Sequence, residues 1–156
     1  MSERLSRLYA IVDRATLDAR GVGVGEFARE LREAGVRLVQ YRDKVNGAQE
    51  VLRAAREIDA AFARAEVTRV MNDRADLAVL AGWEGVHVGQ GDLGVELVRR
   101  VREMTELPIV AIGGITLENA RGVIDAGADS VAVIGGLFVE GRRVSEVARD
   151  FLEILG

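Results

Sequence analysis

Three polar side chains at alternate positions end the second apolar run of the sequence. This segment, LVQYRDK (residues 38–44), carries Gln40, Arg42 and Lys44. Alternate residues of a β-strand point to the same face, so one amide and two cations converge at the carboxyl end of this strand. Arginine forms forked hydrogen bonds to phosphate and lysine adds a point charge, which together suit an anion. The same residues also occur at solvated strand ends, and this segment alone leaves both interpretations open.

Two further apolar runs end in carboxylates. VMNDRAD (residues 70–76) places Asn72 and Asp73 after the third run, and VGQGD (residues 88–92) places Asp92 after the fourth. Each aspartate could cap the helix that follows it or bind a hard cation. Two carboxylates beside two cations favour Mg²⁺ with a pyrophosphate, because Mg²⁺ takes one or two protein carboxylates and completes its shell with phosphate oxygens and water.

Paired glycines end the last two apolar runs, in AIGGIT (residues 111–116) and AVIGGL (residues 132–137). Glycine lets backbone N–H groups approach a phosphate closely, and barrels commonly bind phosphate after their last two strands. Tight strand-to-helix turns are the alternative explanation. The single histidine, His87, lies inside a strand-like run, where we expect a packed or hydrogen-bonded side chain rather than a base.

Six βα units must position these residues. The apolar runs are residues 8–13, 37–42, 68–73, 85–89, 108–114 and 130–135, and the helical patterns are residues 24–34, 47–65, 74–81, 94–106, 117–126 and 142–155. Alternating strands and helices predict a parallel sheet, and runs that are apolar at nearly every position predict strands buried on both faces. A doubly wound sheet and a barrel both fit this alternation.

Polar residues after most strands favour a TIM-type (β/α) barrel, whose site is assembled from many strand ends. The first run, in contrast, lacks the G-x-G-x-x-G motif of a dinucleotide-binding sheet. Six units are fewer than the eight of a complete barrel, so we predict a barrel that is truncated to about six βα units and is either incomplete or closed by oligomerisation.

Length and composition predict a single domain, residues 1–156, and exclude several classes of protein. The net charge of −4 argues against a nucleic-acid or anionic-membrane partner. No apolar stretch is long enough for a membrane span or a signal peptide. The absence of cysteine excludes disulfides and thiolate chemistry, and we expect a cytoplasmic protein. One histidine excludes a multi-histidine metal site within one chain.

Four segments, taken in order, resemble the thiamine phosphate synthase family. They are LYAIVD, GVRLVQYRDK, VMNDRADLAVLAGWEGVHVGQGDL and LPIVAIGGITLENARGVIDAGADSVAVIGGL, and they cover most of the chain. The resemblance implies a (β/α)₈ barrel that couples hydroxymethylpyrimidine pyrophosphate to thiazole phosphate with Mg²⁺, giving thiamine phosphate and pyrophosphate.

The resemblance also assigns roles to residues. It implies Arg42 and Lys44 as the catalytic groups that stabilise the leaving pyrophosphate, and Asp73 and Asp92 as ligands of Mg²⁺. The implied ligands of the pyrimidine pyrophosphate are Gln40, Arg42, Lys44 and Asn72, and those of the thiazole phosphate are the backbones of Gly113, Gly114, Ile134 and Gly135.

The chain departs from the family pattern after GQGDL. Two further family strands, which carry a Ser-Thr-His-like segment and a Thr/Lys cluster, have no counterpart, and GVELVRRV matches the family segment that comes after those strands. We interpret the join near Leu93–Gly94 as an internal loss of about 50 residues, or two βα units. Gly135 also stands where the family usually has serine, so the backbone donor is kept and a hydroxyl is lost.

Such a loss would leave two strands about 14 Å apart, each with an unpaired edge. The chain could tighten into a six-stranded barrel or pair its edges with a second copy, and we predict a homodimer, with or without exchanged elements. Three functions remain open: the transferase, a non-catalytic protein that binds a phosphorylated ligand on the same scaffold, and a thiazole tautomerase. The tautomerase ranks lowest because Q-x-R-x-K and N-D are synthase-like patterns.

Overall fold

Strands and helices alternate along the chain in the computed structural model, which describes residues 6–87, 95–104 and 109–156. The strands are β1 (Leu8–Asp13), β2 (Leu38–Arg42), β3 (Thr68–Asn72), β4 (Gly85–His87), β5 (Val110–Ile112) and β6 (Ser130–Val133). The helices are α1 (Arg14–Arg20), α2 (Val24–Ala34), α3 (Ala48–Ala61), α4 (Ala75–Ala81), α5 (Val95–Met104), α6 (Ala120–Asp125) and α7 (Val144–Leu155). A short 3₁₀ helix, Gly135–Leu137, follows β6. The six predicted strands and their following helices are confirmed.

Local hydrogen bonds explain where the helices differ from the prediction. The sequence pattern missed α1, which is too short for a periodic apolar face and instead depends on its cap at Asp13 and on Gly21 at φ 65°. Helix α6 begins at Ala120 rather than at residue 117, because the side chain of Asn119 binds the preceding turn. Across the described segments, no helix combines the length and apolar character that crossing a membrane requires.

The order of strands in the sheet is β4-β3-β2-β1-β6-β5, and every pairing is parallel. The first strand therefore pairs with the last, with Leu8 opposite Val131. A barrel requires this pairing, whereas a doubly wound sheet would reverse its winding direction about its first strand. The barrel prediction is confirmed.

The winding is interrupted between β4 and β5. Within the described residues, β4 pairs only with β3 and β5 pairs only with β6. These are the two consecutive strands between which the sequence predicts the loss of two βα units. The structure is thus a six-stranded part of a barrel with its open edges at that position.

Apolar side chains cover both faces of the sheet, as predicted. One cluster joins the helices to the outer face and includes Leu8, Ala10, Val12, Val39, Tyr41, Met71, Ala111, Val131 and Val133. A smaller cluster on the inner face contains Tyr9, Ile11, Leu38, Val70 and Ala132. The inner cluster forms an apolar layer directly beneath the polar residues at the carboxyl ends of the strands.

Candidate functional site

Arg42 forms an ion pair with Asp13 at the carboxyl edge of the sheet. The two residues are register partners on β1 and β2, and Arg42 Nη1 donates to Asp13 Oδ1 at 2.6 Å. The Thr16 amide and hydroxyl also donate to Asp13 Oδ2, at 3.0 and 2.7 Å. Burial by itself would raise the pKa of Asp13, but the hydrogen bonds from Thr16 and Arg42 outweigh it and lower the pKa below its ordinary value. Asp13 therefore holds one arm of the arginine as a charged, buried acceptor.

A row of hydrogen bonds joins the ends of the next strands. Tyr9 Oη donates to Gln40 Oε1 at 2.9 Å, and Gln40 Nε2 donates to Asn72 Oδ1 at 3.0 Å. Asn72 Nδ2 in turn donates to Asp73 Oδ2 at 2.8 Å. We call Tyr9, Gln40, Asn72 and Asp73 the amide row. The structure thus brings together three residues that the sequence predicted for the site and adds Tyr9.

Asp73 does not cap the helix that follows it, so that interpretation of its position is wrong. The N-cap of α4 is Arg74, which has no side-chain cap hydrogen bond. Asp73 has φ 59°, an uncommon conformation outside glycine, and its amide donates to the carbonyl of His87 at 2.9 Å. Its carboxylate is exposed, and Oδ1 accepts no hydrogen bond from the described residues. A hard cation could bind that oxygen.

Lys44 lies on a structured loop after β2. Asp43 organises this loop by accepting hydrogen bonds from the amides of Val45 and Asn46, both at 2.9 Å, and from the hydroxyl of Tyr41 at 2.9 Å. The Lys44 side chain is exposed and forms no ion pair with any described residue. It is also the only lysine in a chain that otherwise uses arginine. The retention of one lysine among arginines is a feature of the sequence that could have singled out this position.

The two glycine loops, residues 113–116 after β5 and residues 134–137 after β6, touch each other. Gly113 and Gly114 have φ of 105° and 60°, which side-chain-bearing residues rarely adopt. Asn119 holds this loop by donating to the carbonyl of Gly114 at 2.8 Å. On the neighbouring loop, a Cβ at Gly136 would overlap the carbonyl oxygen of Ile115. The predicted ligands Ile134 and Gly135 directly precede this close approach.

His87 is packed rather than free, in agreement with the sequence prediction. Its ring centroid lies 6.2 Å from that of Tyr9, with the planes inclined at 45°. Asp92 lies outside the described residues, and so does the join near Leu93–Gly94. Within residues 6–87, 95–104 and 109–156, no group of three or more His, Cys, Asp and Glu side chains could hold a metal. The predicted Asp73–Asp92 pair stays a prediction.

Sequence reasoning missed three residues of this site: Asp13, Tyr9 and Gly136. Asp13 had a visible signal, since it is an acidic residue at the end of an otherwise apolar strand. Tyr9 had none, because an aromatic residue in an apolar run is typical of a core position. The close approach at Gly136 depends on a neighbouring loop and cannot be inferred from one segment.

A consecutively wound β/α sheet with polar side chains and glycine loops along its carboxyl edge defines a (β/α) barrel protein whose candidate site lies at that edge. The comparisons agree with this class. A model of the family described as thiamine monophosphate synthase matches residues 8–104 and 93–137. A thiamine-phosphate synthase from Koribacter versatilis is 39% identical, with 97% of this chain and 97% of that protein covered. One from Nitrosococcus oceani is 33% identical, with 88% of each covered. The chain belongs to the thiamine monophosphate synthase family.

Solved structures support the fold. A thiamine phosphate pyrophosphorylase from Pyrococcus furiosus superposes with a TM-score of 0.82 at 22% identity, over 96% of this chain and 95% of that one. A second such protein, from Bacteroides thetaiotaomicron, gives a TM-score of 0.67 at 15% identity, over 96% of this chain and 97% of that one. At these identities the likeness concerns the fold alone.

The comparisons also support the internal loss. The alignment with the Koribacter relative extends over 208 positions, whereas the chain has 156 residues, so at least 52 positions have no counterpart here. The family model matches in two segments that overlap at residues 93–104. The predicted join at Leu93–Gly94 falls at the start of that overlap.

Proposed function

We propose that the protein joins hydroxymethylpyrimidine pyrophosphate to thiazole phosphate, giving thiamine phosphate and pyrophosphate. The observation that carries this proposal is the convergence of Arg42, Gln40, Asn72 and Asp73 at one edge of the sheet, in a chain of this family. A cation, two amides and a carboxylate suit a ligand that has a polar ring and a diphosphate group.

In this proposal the pyrimidine pyrophosphate contacts Gln40, Arg42, Lys44 and Asn72. Only Nη1 of Arg42 is held by Asp13, and the other guanidinium N–H groups form no hydrogen bond with described residues. Those groups can fork to phosphate oxygens while Asp13 keeps the side chain in place. Lys44 adds a positive point charge on a long side chain, and its backbone is held by the hydrogen bonds of Asp43.

The thiazole phosphate binds, in the same proposal, to the backbone of Gly113, Gly114, Ile134 and Gly135. Support comes from the positive φ of Gly113 and Gly114 and from the contact between the two glycine loops. Consecutive N–H groups in such loops form a concave anion site without a side-chain charge.

The reaction needs no protein nucleophile. The bond between the pyrimidine methylene carbon and the pyrophosphate oxygen breaks, and its electron pair leaves with pyrophosphate. The thiazole nitrogen supplies the pair for the new C–N bond, and no proton is transferred. The work of the protein is to orient the two substrates and to stabilise charge on the leaving group through Arg42 and Lys44.

We also propose that Asp73 and Asp92 hold Mg²⁺. The chemistry of Asp73 fits, because its exposed carboxylate keeps one oxygen without a partner among the described residues. When bound there, the ion would supply positive charge to the diphosphate. Because pyrophosphate complexes need only one or two protein carboxylates, this small ligand set is sufficient.

A homodimer is the proposed assembly. It is supported by the unpaired outer edges of β4 and β5 in the described residues and by the exposed Val79 and Leu80 on α4, which packs beside β4. A second copy could pair with an open edge and cover these side chains. We place this single-domain enzyme in the cytoplasm, in keeping with its lack of cysteine.

One specific observation favours a second candidate function. At least 52 positions of the Koribacter alignment have no residue in this chain. The family resemblance implies that the Thr/Lys ligands lie in a segment that is missing after GQGDL. A protein that lacks these ligands could bind the phosphorylated pyrimidine without turning it over.

The two functions are separated by incubating the pure protein with both substrates and Mg²⁺. The transferase releases one pyrophosphate for each thiamine phosphate formed, and Asp92→Ala removes most of this activity. Asp76→Asn is the matched control, because Asp76 is an exposed carboxylate near Asp73 that pairs with Arg74. Measurable binding of the pyrimidine substrate with no pyrophosphate release would support the binding protein and refute the transferase.

A further inference from the structure

The amide row crosses three strands and has a fixed direction. Asp73, as a carboxylate, can only accept hydrogen bonds, so Asn72 must present its Nδ2 to it. Asn72 Oδ1 then faces Gln40, which must present its Nε2. Gln40 Oε1 consequently faces Tyr9, whose hydroxyl must donate. Turning either amide over would set two donors or two acceptors against each other.

Burial prevents water from correcting such a reversal. Gln40 is 1% exposed and Tyr9 is 4% exposed, so the Gln40 oxygen depends on the Tyr9 hydroxyl. Burial also raises the pKa of Tyr9 well above its ordinary value, which keeps the phenol protonated and available as a donor. The row thus has the Tyr9 hydroxyl as a donor at its inner end and the Asp73 carboxylate as an acceptor at its outer end.

The direction of the row determines whether a ligand meets N–H or C=O groups of the side-chain amides. Each –NH₂ group has two hydrogens, one of which is used in the row, and the second has no partner among the described residues. Asn72, which is partly exposed, therefore presents N–H rather than C=O at this edge of the sheet, and Gln40, which is 1% exposed, fixes that direction from the buried side. Donors attract phosphate oxygens and ring nitrogens, whereas a carbonyl in the same place would repel them.

We propose that Tyr9 is a positioning residue, which touches no substrate itself and, through Gln40, fixes the orientation in which Asn72 binds the pyrimidine pyrophosphate. This inference rests on the proposed function for the identity of the ligand. Without the Tyr9 hydroxyl, Gln40 Oε1 would be buried and unpaired, and the hydrogen bond that fixes the Gln40 amide toward Asn72 would be lost. The loss of order would extend along the row to Asn72, which Tyr9 does not contact.

The test compares Tyr9→Phe with Ser130→Ala. Ser130 is the matched control, because it too is a buried hydroxyl, but it lies at the opposite end of the sheet, where it faces the carbonyl of Arg7. The first measurement needs no ligand: NMR hydrogen exchange of the side-chain amides in the free protein. We expect the Asn72 amide to exchange several-fold faster in Tyr9→Phe and unchanged in Ser130→Ala. Unchanged exchange in Tyr9→Phe would refute the coupling along the row.

The second measurement is calorimetric binding of hydroxymethylpyrimidine pyrophosphate with Mg²⁺. Tyr9→Phe should raise the Kd about tenfold, the effect of one lost buried hydrogen bond, while Ser130→Ala should leave it unchanged. An equal change in both variants, or an unaltered Kd in Tyr9→Phe, overturns the positioning role. If the unmodified protein fails to bind the pyrimidine at all, the proposed function is wrong and the positioning role falls with it, whatever the exchange data show about the row.

Discussion

Asp13 and Arg42 face each other directly across β1 and β2, and their side chains form a 2.6 Å ion pair. Asp13 is 5% exposed and is also the N-cap of α1, so one carboxylate joins a helix start to a site cation. The arginine is about one-third exposed, which leaves its remaining N–H groups accessible to a ligand. The site is therefore organised by a residue that does not itself need to contact substrate.

Asp13→Asn should change the acid stability of the protein. The pKa of Asp13 in the folded protein lies below its ordinary value of 3.8, so its contribution is present above about pH 4 and is lost as the pH falls through the folded pKa. The variant should lose about 1–2 kcal/mol at pH 7 and show a shallower fall in stability below pH 4. Urea unfolding between pH 2 and pH 7 measures both effects, and a parallel pair of curves would contradict the assignment.

Arg42→Lys should weaken binding of inorganic pyrophosphate about tenfold, although the charge is kept. A lysine cannot hold Asp13 and fork to a phosphate at the same time, because it lacks the planar set of donors. Arg121→Lys is the control, since Arg121 forms an exposed pair with Asp125 on α6. Isothermal titration with Mg²⁺ present gives the two affinities, and similar losses in both variants would contradict a specific role for Arg42.

Gly136→Ala should disrupt the contact between the glycine loops. The added methyl group would overlap the carbonyl oxygen of Ile115 and come within 3.1 Å of Val133, so we expect a loss of about 1–3 kcal/mol and weaker thiazole phosphate binding. Gly122→Ala is the control, because Gly122 lies in α6 with open space at its Cβ and should be neutral or stabilising. Thermal unfolding of the two variants provides the comparison.

Lys44 can be tested without mutation, because it is the only lysine. An amine-reactive acetylating reagent should modify only this side chain and the N-terminal amine, and peptide mass spectrometry separates the two. Inorganic pyrophosphate with Mg²⁺ should slow acetylation of Lys44 several-fold while the N-terminal amine reacts at its original rate. Equal acetylation rates of Lys44 with and without pyrophosphate would show that Lys44 does not belong to the binding site.

Because α4 lies beside the open edge of β4, we expect exposed apolar residues of α4 to contribute to dimer formation. Val79 and Leu80 are 80% and 71% exposed, and Val79→Glu with Leu80→Glu should convert a dimer into a 16.9 kDa monomer. Val139→Glu changes a 40% exposed apolar residue away from that edge and should leave the dimer intact. Size-exclusion chromatography with light scattering measures the mass. A monomeric unmodified protein would exclude the homodimer.

Patterns within single segments were sufficient to predict the six βα units, the burial of strands on both faces and the polar strand ends at Gln40, Arg42 and Asn72. These features depend on the period of apolar residues along the chain, which neighbouring residues establish together. Helix α1 and the late start of α6 were not predicted, because they depend on local hydrogen bonds of single side chains, Asp13 and Asn119. The period of apolar residues does not depend on such bonds and cannot predict them.

The relationships between strands could not be read from any one segment. The pairing of β1 with β6, the ion pair of Asp13 with Arg42 and the direction of the amide row all depend on register. Register places distant residues side by side: Asp13 and Arg42 are 29 positions apart in the chain, and the register partners Leu8 and Val131 are 123 apart. The sequence therefore specifies which side chains reach the carboxyl edge of the sheet, because the alternation of side chains along a strand depends only on neighbouring residues. Folding specifies which of them touch, because hydrogen bonds across a sheet form only after the barrel winding has set each strand beside its neighbour.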